Sequence, residues 1–400
     1  MREVDHDIVI SGGGVAGLTA AAAFGAAGFS VLCVDPAPPV TEREAEGADL
    51  RSTAFLQPAQ ALLDQAGLWG RLEEYASELR IMRIVDAGGP QPEVRVTRDF
   101  NSVDISDLPF GWNLPNWLLR REMVAHLQEL DSVEFRTGTA TRSLFTREGE
   151  ARVGLSDGTT VRARLVIAAD GRNSPIREAA GVGVHTIRYG QKALAFAVTH
   201  PLPHRNVSTE IHRSGGPFTL VPLPDHEGLP SSAIVWMEDG PEAVRLAGLG
   251  IPEFEAAMTE RSCGLFGPLK LASRMTVWPI ISQVADRMWA ERVALVAEAA
   301  HVVPPIGAQG LNMSLGDMRV LLALALESPD TLGDAKMLEA YHRRRHREVA
   351  FRLAGIDALN RASMMHFQPL RDCRALGVDT IYALAPVRRL LMQMGLGARG

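Results

Sequence analysis

A glycine-rich turn near the N-terminus constrains the fold more than any other feature of the sequence. An apolar, β-rich run at residues 7–11 leads into Gly12-Gly-Gly-Val-Ala-Gly17, which has the spacing GxGxxG at Gly12, Gly14 and Gly17. An alanine-rich helix is predicted over 18–27 and a second strand over 30–34. Strand, turn, helix and strand in this order predict a βαβ dinucleotide-binding unit.

Each glycine of this turn has a separate physical role in such a unit. The first permits the tight turn, the second lets backbone approach a pyrophosphate, and the third lets the helix pack on the strand. The N-terminus of the helix offers free N–H groups to the phosphates. Asp35 ends the second strand and is placed to accept hydrogen bonds from a ribose hydroxyl. The pattern alone leaves FAD and NAD as alternatives.

Composition narrows the class of protein. The chain has 400 residues, a formal charge of −6, 46% hydrophobic and 22% charged residues. These values predict two or three globular domains with a large core, and the mild acidity argues against broad nucleic-acid binding. Cys33, Cys263 and Cys373 are far apart and form no CxxC, so we expect no disulfide framework, no metal site and a reducing, cytoplasmic compartment.

Three further stretches carry chemistry-bearing residues. Arg51 lies in the loop at 49–54, and a strand within 165–177 runs into Asp170-Gly171. A third strand ends at Glu298 and is followed by a loop rich in proline and glycine, with a helix beginning near Leu311. Taken alone, Arg51 is equally explained as a solvated loop residue and Asp170 as a turn residue.

Together these motifs make the chain resemble the group A FAD-dependent aromatic monooxygenases, the para-hydroxybenzoate hydroxylase superfamily. In that superfamily an N-terminal GxGxxG, a central DG motif and a late GD motif converge on one FAD. The resemblance implies FAD as cofactor and NAD(P)H as co-substrate. The cofactor-binding residues that it implies are Gly12, Gly14, Gly17, Asp35, Arg51, Arg120, Asp170, Gly171, Glu298, Gly310, Leu311 and Asn312.

The resemblance also assigns roles to several of these positions. Arg51 and Arg120 are expected at the FAD pyrophosphate and ribityl chain, and Asp170-Gly171 at the FAD and the approach of the nicotinamide. Glu298 stands where the superfamily mostly has aspartate, and Asp35 where glutamate is commoner. Neither departure removes a hydrogen-bond acceptor, so FAD binding is still expected.

The loop at 304–312 is predicted to lie nearest the chemistry. Its backbone N–H groups suit the negatively charged pyrimidine edge of reduced flavin. We therefore take Pro304, Gly307 and Gly310 as a catalytic loop around the flavin ring, without an acid or base. His301 precedes this loop at a strand-to-loop corner, where a structural role is favoured over direct chemistry.

A narrower resemblance is to the ubiquinone-biosynthesis hydroxylases, which act on polyprenyl phenols. It rests on the segments at 49–54, 81–86, 110–116, 189–193, 217–224 and 301–312. It implies that NAD(P)H reduces FAD, that O₂ forms a flavin C4a-hydroperoxide, and that one oxygen atom reaches the phenol ring. The alternatives are a hydroxylase of another aromatic in secondary metabolism, a flavin-bearing accessory subunit of a ubiquinone-synthesis complex, and a reductase of the geranylgeranyl-reductase type.

The expected fold class is mixed α/β, with a Rossmann-like FAD-binding domain, an interleaved antiparallel sheet domain for the substrate, and a helical C-terminus. The FAD-binding domain is assigned to residues 1–72, 117–182 and 286–345, and the sheet domain to 73–116 and 183–285. Residues 346–400 form the helical region. Leu220, Leu223 and Trp236 are proposed as substrate walls, together with Val221 and Trp278, and a place in the ordinary core of the sheet is the alternative for each of them.

The C-terminal region raises the question of a membrane. A basic run at 341–347 is predicted to be a solvated helix face, with anionic lipid binding as the lesser alternative. The segment at 379–397 is apolar enough to cap the core or to contact a membrane or a partner protein. Because polyprenyl substrates reside in membranes, peripheral contact with the inner membrane and with other ubiquinone-biosynthesis proteins is a hypothesis.

Overall fold

The computed structural model describes residues 5–396. Residues 1–4 of the predicted FAD-binding domain and residues 397–400 of the predicted helical region lie outside that range. The helices are α1 (Val15–Ala26), α2 (Gln57–Gln65), α3 (Trp69–Leu72), α4 (Asn116–Leu127), α5 (Pro175–Ala179), α6 (Gly240–Ala247), α7 (Ile251–Arg261), α8 (Gln309–Glu327), α9 (Ala335–Ser363), α10 (Gln368–Ala383) and α11 (Ala385–Leu396).

The strands are β1 (His6–Ser11), β2 (Val31–Asp35), β3 (Ser52–Leu56), β4 (Ser77–Leu79), β5 (Ile81–Asp86), β6 (Val96–Asn101), β7 (Gly111–Pro115), β8 (Val133–Thr137), β9 (Thr141–Arg147), β10 (Glu150–Leu155), β11 (Thr160–Ala168), β12 (Val184–Thr199), β13 (Val207–His212), β14 (Pro217–His226), β15 (Leu229–Asp239), β16 (Lys270–Leu271), β17 (Thr276–Ala285), β18 (Trp289–Ala290), β19 (Val293–Leu295) and β20 (His301–Val302). Short 3₁₀ turns cover Glu73–Tyr75, Ser102–Asp104, Ala297–Ala299 and Pro329–Thr331.

The first sheet carries the dinucleotide-binding turn. Its strands run in the order β18-β19-β11-β1-β2-β8, and β1 pairs in parallel with both β2 and β11. Ile8, Val9 and Ile10 of β1 are completely buried, which is expected when helices cover both faces of a parallel sheet. The sheet takes strands from early, middle and late parts of the chain, so its sequence-distant turns meet at one edge.

A second, nine-stranded sheet lies over this edge. Its main path is β20-β17-β12-β15-β14-β13-β5-β6; apart from the parallel pair β13–β5, neighbouring strands run antiparallel. The residues of β14 alternate between two environments: Phe218 and Leu220 pack in an apolar core with α7, whereas Thr219 and Val221 face a cavity. A small sheet of β3, β7 and β4 lies on the opposite side of that cavity.

The C-terminal helices close the chain over the second sheet. Arg374 of α10 forms an ion pair with the buried Asp86 of β5 at 2.8 Å, and Arg95 of the neighbouring loop reaches the same carboxylate at 2.6 Å. Met392 and Leu396 of α11 pack in a small apolar cluster. No helix among residues 5–396 is long and apolar enough to cross a membrane. The predicted fold class, mixed α/β with a Rossmann-like sheet, a mainly antiparallel sheet and a helical C-terminus, is confirmed.

Candidate active site

A cavity of about 540 Å³ lies where the two large sheets meet. One end is bounded by the N-terminus of α1, the loop before β3, the turn after β11 and the segment at 297–311. The other end is bounded by one face of the second sheet, by β7 and by Phe110. Most charged groups cluster at the first end, whereas the second end is mainly apolar but includes Ser208, Glu210 and Thr219. The cavity thus has a half suited to a polar cofactor and a half suited to an apolar ligand.

The glycines of the GxGxxG turn occupy three different environments. Gly12 has a φ of +109°, and a Cβ on it would lie 2.4 Å from the carbonyl oxygen of Ala169. A Cβ on Gly17 would lie 1.8 Å from the carbonyl oxygen of Gly12. Gly14, in contrast, has nothing within 4 Å of its Cβ position and lines the cavity. Gly12 and Gly17 are therefore required by the protein's own packing, and Gly14 keeps open space for a ligand.

The N-terminus of α1 is open to an anion. Gly14 is its N-cap, no side chain caps its first N–H groups, and its first turn contains no acidic residue. Free N–H groups and the positive end of the helix dipole favour a phosphate at this position. The cavity lining at Gly14, Val15 and Ala16 shows that this end of the helix faces the cavity.

Asp35 lies at the edge of this turn and does not line the cavity. Its carboxylate accepts hydrogen bonds from the N–H of Gly13 at 2.6 Å and of Ala37 at 2.9 Å. The side chain therefore shapes the turn itself. Its predicted bond to a ribose hydroxyl stays a prediction. The two N–H groups leave lone pairs of the carboxylate available for such a bond.

Two arginines face the polar half of the cavity. Arg51 forms a bidentate pair with Asp49, with Nε–Oδ1 and Nη2–Oδ2 distances of 2.8 and 2.7 Å. Burial opposes ionisation of Asp49, but the two arginines prevail and hold its pKa below the usual value. Arg120 lies 3.9 Å from the same carboxylate, and its buried Nε has no hydrogen-bond partner among the described residues. Arg120 lines the cavity, and a guanidinium with an unpartnered N–H can donate to a phosphate.

Asp170, in the turn after β11, does not itself line the cavity, although its neighbours Ala169 and Gly171 do. Oδ2 of Asp170 accepts from the N–H of Ile176 at 3.2 Å, whereas its buried Oδ1 has no partner within residues 5–396. Burial raises the pKa of Asp170 above its ordinary value. Gly171 lines the cavity, and so does Glu298, whose carboxylate forms an ion pair with Arg172 at 3.1 Å. The structure thus brings the DG turn and Glu298 to the same end of the cavity.

The loop before α8 approaches the cavity with backbone rather than with side chains. The helix begins at Gln309, two residues before the predicted start, and its N-cap, Ala308, has a φ of 56°. Gly307, Gly310 and Leu311 line the cavity. As at α1, no side chain caps the first N–H groups of α8 and no acid lies in its first turn. This end of the cavity therefore meets two uncapped helix N-termini.

Two residues predicted for this loop, Pro304 and Asn312, do not line the cavity. Pro304 is buried and does not line the cavity; its carbonyl accepts from the N–H of Ile306 at 2.8 Å. The side chain of Asn312 binds backbone: its amide donates to the carbonyl of Ala54 at 2.7 Å, and its Oδ1 accepts from the N–H of Leu56 at 2.8 Å. Asn312 therefore ties α8 to β3.

The proposed substrate walls Leu220, Leu223 and Trp236 do not line the cavity. Leu220 and Trp236 point to the opposite face of the second sheet and pack in the apolar core beneath α7. Leu223 lies further along β14, packed against Ala197 and Ala233. Because successive side chains of a strand point to opposite faces, an apolar segment does not reveal which set faces the ligand. Val221 and Trp278, the other two proposed substrate walls, do line the cavity.

A buried charge network beneath the α8 loop was not predicted. Asp317 of α8 lies 2.7 Å from Nε2 of His301 and 2.9 Å from Nε of Arg345, and all three side chains are at most 2% exposed. The basic run at 341–347 is consequently not an entirely solvated face, since both Tyr341 and Arg345 are buried. The signal available in the sequence was an aspartate at a position where the pattern of α8 is otherwise apolar.

Comparison with known proteins agrees with this geometry. A family model described as an FAD-binding domain matches residues 5–353. The chain belongs to this FAD-binding family. A ubiquinone hydroxylase, UbiL, of Rhodospirillum rubrum is 32% identical over 394 residues, which cover 98% of this chain and 89% of the relative. The 3-demethoxyubiquinol 3-hydroxylase of Escherichia coli is 24% identical, with 99% and 100% covered.

Solved structures show the same fold at lower identity. The crystal structure of p-nitrophenol 4-monooxygenase from Pseudomonas putida superposes with a TM-score of 0.80 at 20% identity and covers 100% of both chains. The resemblance to FAD-dependent aromatic monooxygenases, and within them to ubiquinone hydroxylases, is confirmed. FAD is the cofactor, and NAD(P)H is the co-substrate typical of the family. The uncapped N-termini of α1 and α8 and the unpartnered Nε of Arg120 all fit such an anionic dinucleotide.

Proposed function

We propose that this protein hydroxylates the ring of a phenolic ubiquinone precursor, using FAD, NAD(P)H and O₂. The observation that carries the proposal is the shape of the cavity, which continues without a break from the residues suited to FAD to the apolar face of the second sheet. A phenol on that face would lie beside the loop at 303–311, called here the flavin-side loop. The relatives named as ubiquinone hydroxylases support the choice of substrate class.

The chain's own residues have three tasks in this reaction. FAD, when bound, supplies the activation of oxygen after its reduction by NAD(P)H. The N-terminus of α1, together with Arg51 and Arg120, holds the pyrophosphate and ribityl chain, and the N-terminus of α8 stabilises negative charge on the ring system. The apolar strands of the second sheet exclude water and keep the phenol ring against the loop at 303–311.

The specific substrate that we propose carries a polyprenyl tail, and the C-terminal helices are suited to meet it at a membrane. Large apolar side chains on α9 to α11 and the connections between them are exposed to solvent. They are Phe351, Leu359, Phe367, Leu370, Leu376, Leu384, Val387, Leu390 and Leu391. Such a concentration of exposed apolar area is typical of an interaction surface. We infer that it rests on the membrane that holds the substrate, and α11 lies beside Leu56 and Phe110 at the cavity wall.

A turnover experiment tests the proposed reaction. The purified protein should be yellow, and a prenylated phenol should accelerate its oxidation of NAD(P)H in stopped-flow measurements and yield one hydroxylated product per NAD(P)H consumed. Complementation of bacterial mutants blocked at each ring-hydroxylation step then identifies the ring position. Full complementation without any turnover by the isolated protein would favour an accessory role in a ubiquinone-synthesis complex.

Membrane contact has a separate test. Phe367→Gln combined with Leu376→Gln changes two side chains that are each 66% exposed, so the fold should be unaffected. We expect the double variant to float less with liposomes of anionic bacterial lipid than the wild type does. Phe145→Gln, which changes an exposed phenylalanine on β9, is the matched control. Equal flotation of all three proteins would remove the membrane hypothesis.

A further inference from the structure

An acidic side chain stands in the apolar wall of the cavity. Glu210 of β13 lines the cavity on the face of the second sheet. Its cross-strand partners are Thr219 on β14 and Ile84 on β5, and Ser208, two residues earlier on the same strand, also lines the cavity. The side chain of Glu210 is only 15% exposed. A carboxylate buried to this extent requires partners that donate hydrogen bonds.

The protein supplies one such partner. Nε2 of His212 lies 2.8 Å from Oε1 of Glu210, and the histidine side chain is 14% exposed. The strand that carries both groups is fixed at this point, because the carbonyl of His212 accepts from the N–H of Ala87 at 2.8 Å and from Arg374 at 3.4 Å. The carboxylate is therefore held on a rigid element and turned toward the cavity.

The other ionisable side chains of the cavity lining belong to the flavin-side half. Asp49 is paired with Arg51, Arg172 with Glu298, and His301 with Asp317. Among the described lining residues, Glu210 is the acid on the sheet side. Within residues 5–396, His212 is the one group that approaches its carboxylate within hydrogen-bonding distance. The second oxygen of Glu210 can accept a hydrogen bond from a bound ligand.

We propose that Glu210, oriented by His212, accepts a hydrogen bond from the ring hydroxyl of the substrate. This inference rests on the proposed function, and it assigns the residue that recognises the free hydroxyl of the substrate ring. A phenol or hydroquinone donates to the carboxylate, whereas a quinone carbonyl or a methyl ether leaves it unpaired in an apolar wall. The contact also fixes the rotation of the ring, and so selects which ring carbon faces the flavin-side loop.

The test compares two ligands that differ only in the replacement of the hydroxyl hydrogen by a methyl group, which removes the hydrogen-bond donor. A 2-prenylated phenol with a short isoprenoid tail and its O-methyl ether are titrated into the FAD-loaded protein, and binding is followed by the flavin absorbance. The wild type should bind the phenol about tenfold or more tightly than the ether, as expected for a hydrogen bond to a charged acceptor. Glu210→Gln should reduce this ratio to within about threefold, because an amide is a weaker acceptor and is not charged.

Two further variants separate the contact from a change in shape. Thr219→Val alters the neighbouring position of the same wall without changing its charge, so it should change the binding of both ligands by the same factor and keep their ratio. His212→Asn keeps the carboxylate but removes its support, and should lower the ratio by a smaller factor than Glu210→Gln. If Glu210→Gln does not retain FAD, the His212→Asn ratio decides the matter.

The outcomes distinguish this inference from the proposed function. Equal affinity of the wild type for phenol and ether, or an unchanged ratio in Glu210→Gln and His212→Asn, overturns the role of Glu210 even if the wild type hydroxylates the phenol. A wild type that prefers the phenol through Glu210 and yet forms no hydroxylated product leaves the contact in place and contradicts the proposed reaction.

Discussion

Nε2 of His301 and Oδ2 of Asp317 lie 2.7 Å apart beneath the loop that leads into α8, and neither side chain is more than 1% exposed. Asp317 also accepts from the backbone N–H of Ala297 at 3.3 Å and pairs with Arg345 at 2.9 Å. One carboxylate thus joins the turn at 297–299, β20, α8 and α9. Because Ala297, His301 and Gly310 also line the cavity, this network sets the position of the flavin-side wall.

Replacing Asp317 should destabilise the fold strongly. Asp317→Asn keeps the shape of the side chain but leaves Arg345 without its buried counter-charge. Breaking one partner of a buried ion pair costs about 3–5 kcal/mol, and we expect a loss of that order in the free energy of unfolding by urea. Glu339→Gln, which removes a solvent-exposed pair with Arg343 on α9, is the control and should cost less than about 1 kcal/mol.

The same carboxylate predicts a pH dependence. Burial alone would raise the pKa of Asp317, but His301 and Arg345 outweigh it and hold the pKa below the ordinary value of an aspartate. A carboxyl with a lowered folded-state pKa contributes stability above its unfolded pKa, and that contribution is lost as pH falls through the folded value. The difference in unfolding free energy between wild type and Asp317→Asn should therefore shrink as pH falls below about 4. Urea midpoints measured across this range check it; an unchanged difference at pH 3 would contradict the assignment.

Neighbouring arginines on α4 allow a matched test of cofactor binding. Arg120 lines the cavity and has a buried Nε without a partner among the described residues, whereas Arg121 stacks over Trp117 and pairs with Glu122. Because a hydrogen bond to a charged group is worth about 1.5–3 kcal/mol, Arg120→Met should weaken FAD binding by about 10- to 150-fold. Arg121→Met should leave the FAD dissociation constant within about threefold of the wild type. Fluorescence titration of the apoprotein with FAD measures both; equal effects would show that Arg120 does not contact the cofactor.

The parts of the molecule that the sequence predicts best are those whose local geometry demands particular residues. Gly12 and Gly17 leave no room for a Cβ, so the spacing of the glycines predicts the turn that they form. Similarly, the proline and glycine residues before α8 predict that a helix begins there after a loop. These features depend on residues that are close in sequence.

Contacts between segments that are distant in the sequence could not be predicted from it. Trp236 and Trp278 are equally apolar and lie on strands of the same sheet, yet only the packing of α7 and the flavin-side loop decides which of them faces the cavity. Asn312 matches the motif, but its amide binds β3, which is more than 250 residues away in the chain. Arg345 forms part of a basic run, and its burial follows from an aspartate on another helix.

Two glycines of the first turn should separate folding from cofactor binding. Gly17→Ala places a methyl group 1.8 Å from the carbonyl oxygen of Gly12, so we expect little folded protein. Gly14→Ala meets no protein atom within 4 Å, and its thermal midpoint without FAD should match the wild type. The added methyl group projects toward the space for the pyrophosphate, so FAD affinity should fall by at least about tenfold. Wild-type FAD affinity in Gly14→Ala would show that the cofactor does not approach this turn.

Two tryptophans on either side of the second sheet provide the last prediction. Trp236 is 3% exposed and packs edge-to-face on Phe218 in the core beneath α7, with ring centroids 5.3 Å apart. Trp236→Ala should therefore lower the free energy of unfolding by about 3–5 kcal/mol.

Trp278 lines the cavity, and the guanidinium carbon of Arg51 lies 5.5 Å from its ring centroid. Trp278→Ala should cost less stability, because its ring already borders open space, but should increase the release of hydrogen peroxide relative to product, because water gains access to the flavin-side wall. Urea unfolding and the ratio of peroxide to hydroxylated product measure the two effects. A higher ratio of peroxide to product in Trp236→Ala, with an unchanged ratio in Trp278→Ala, would reverse the assignment of the two faces.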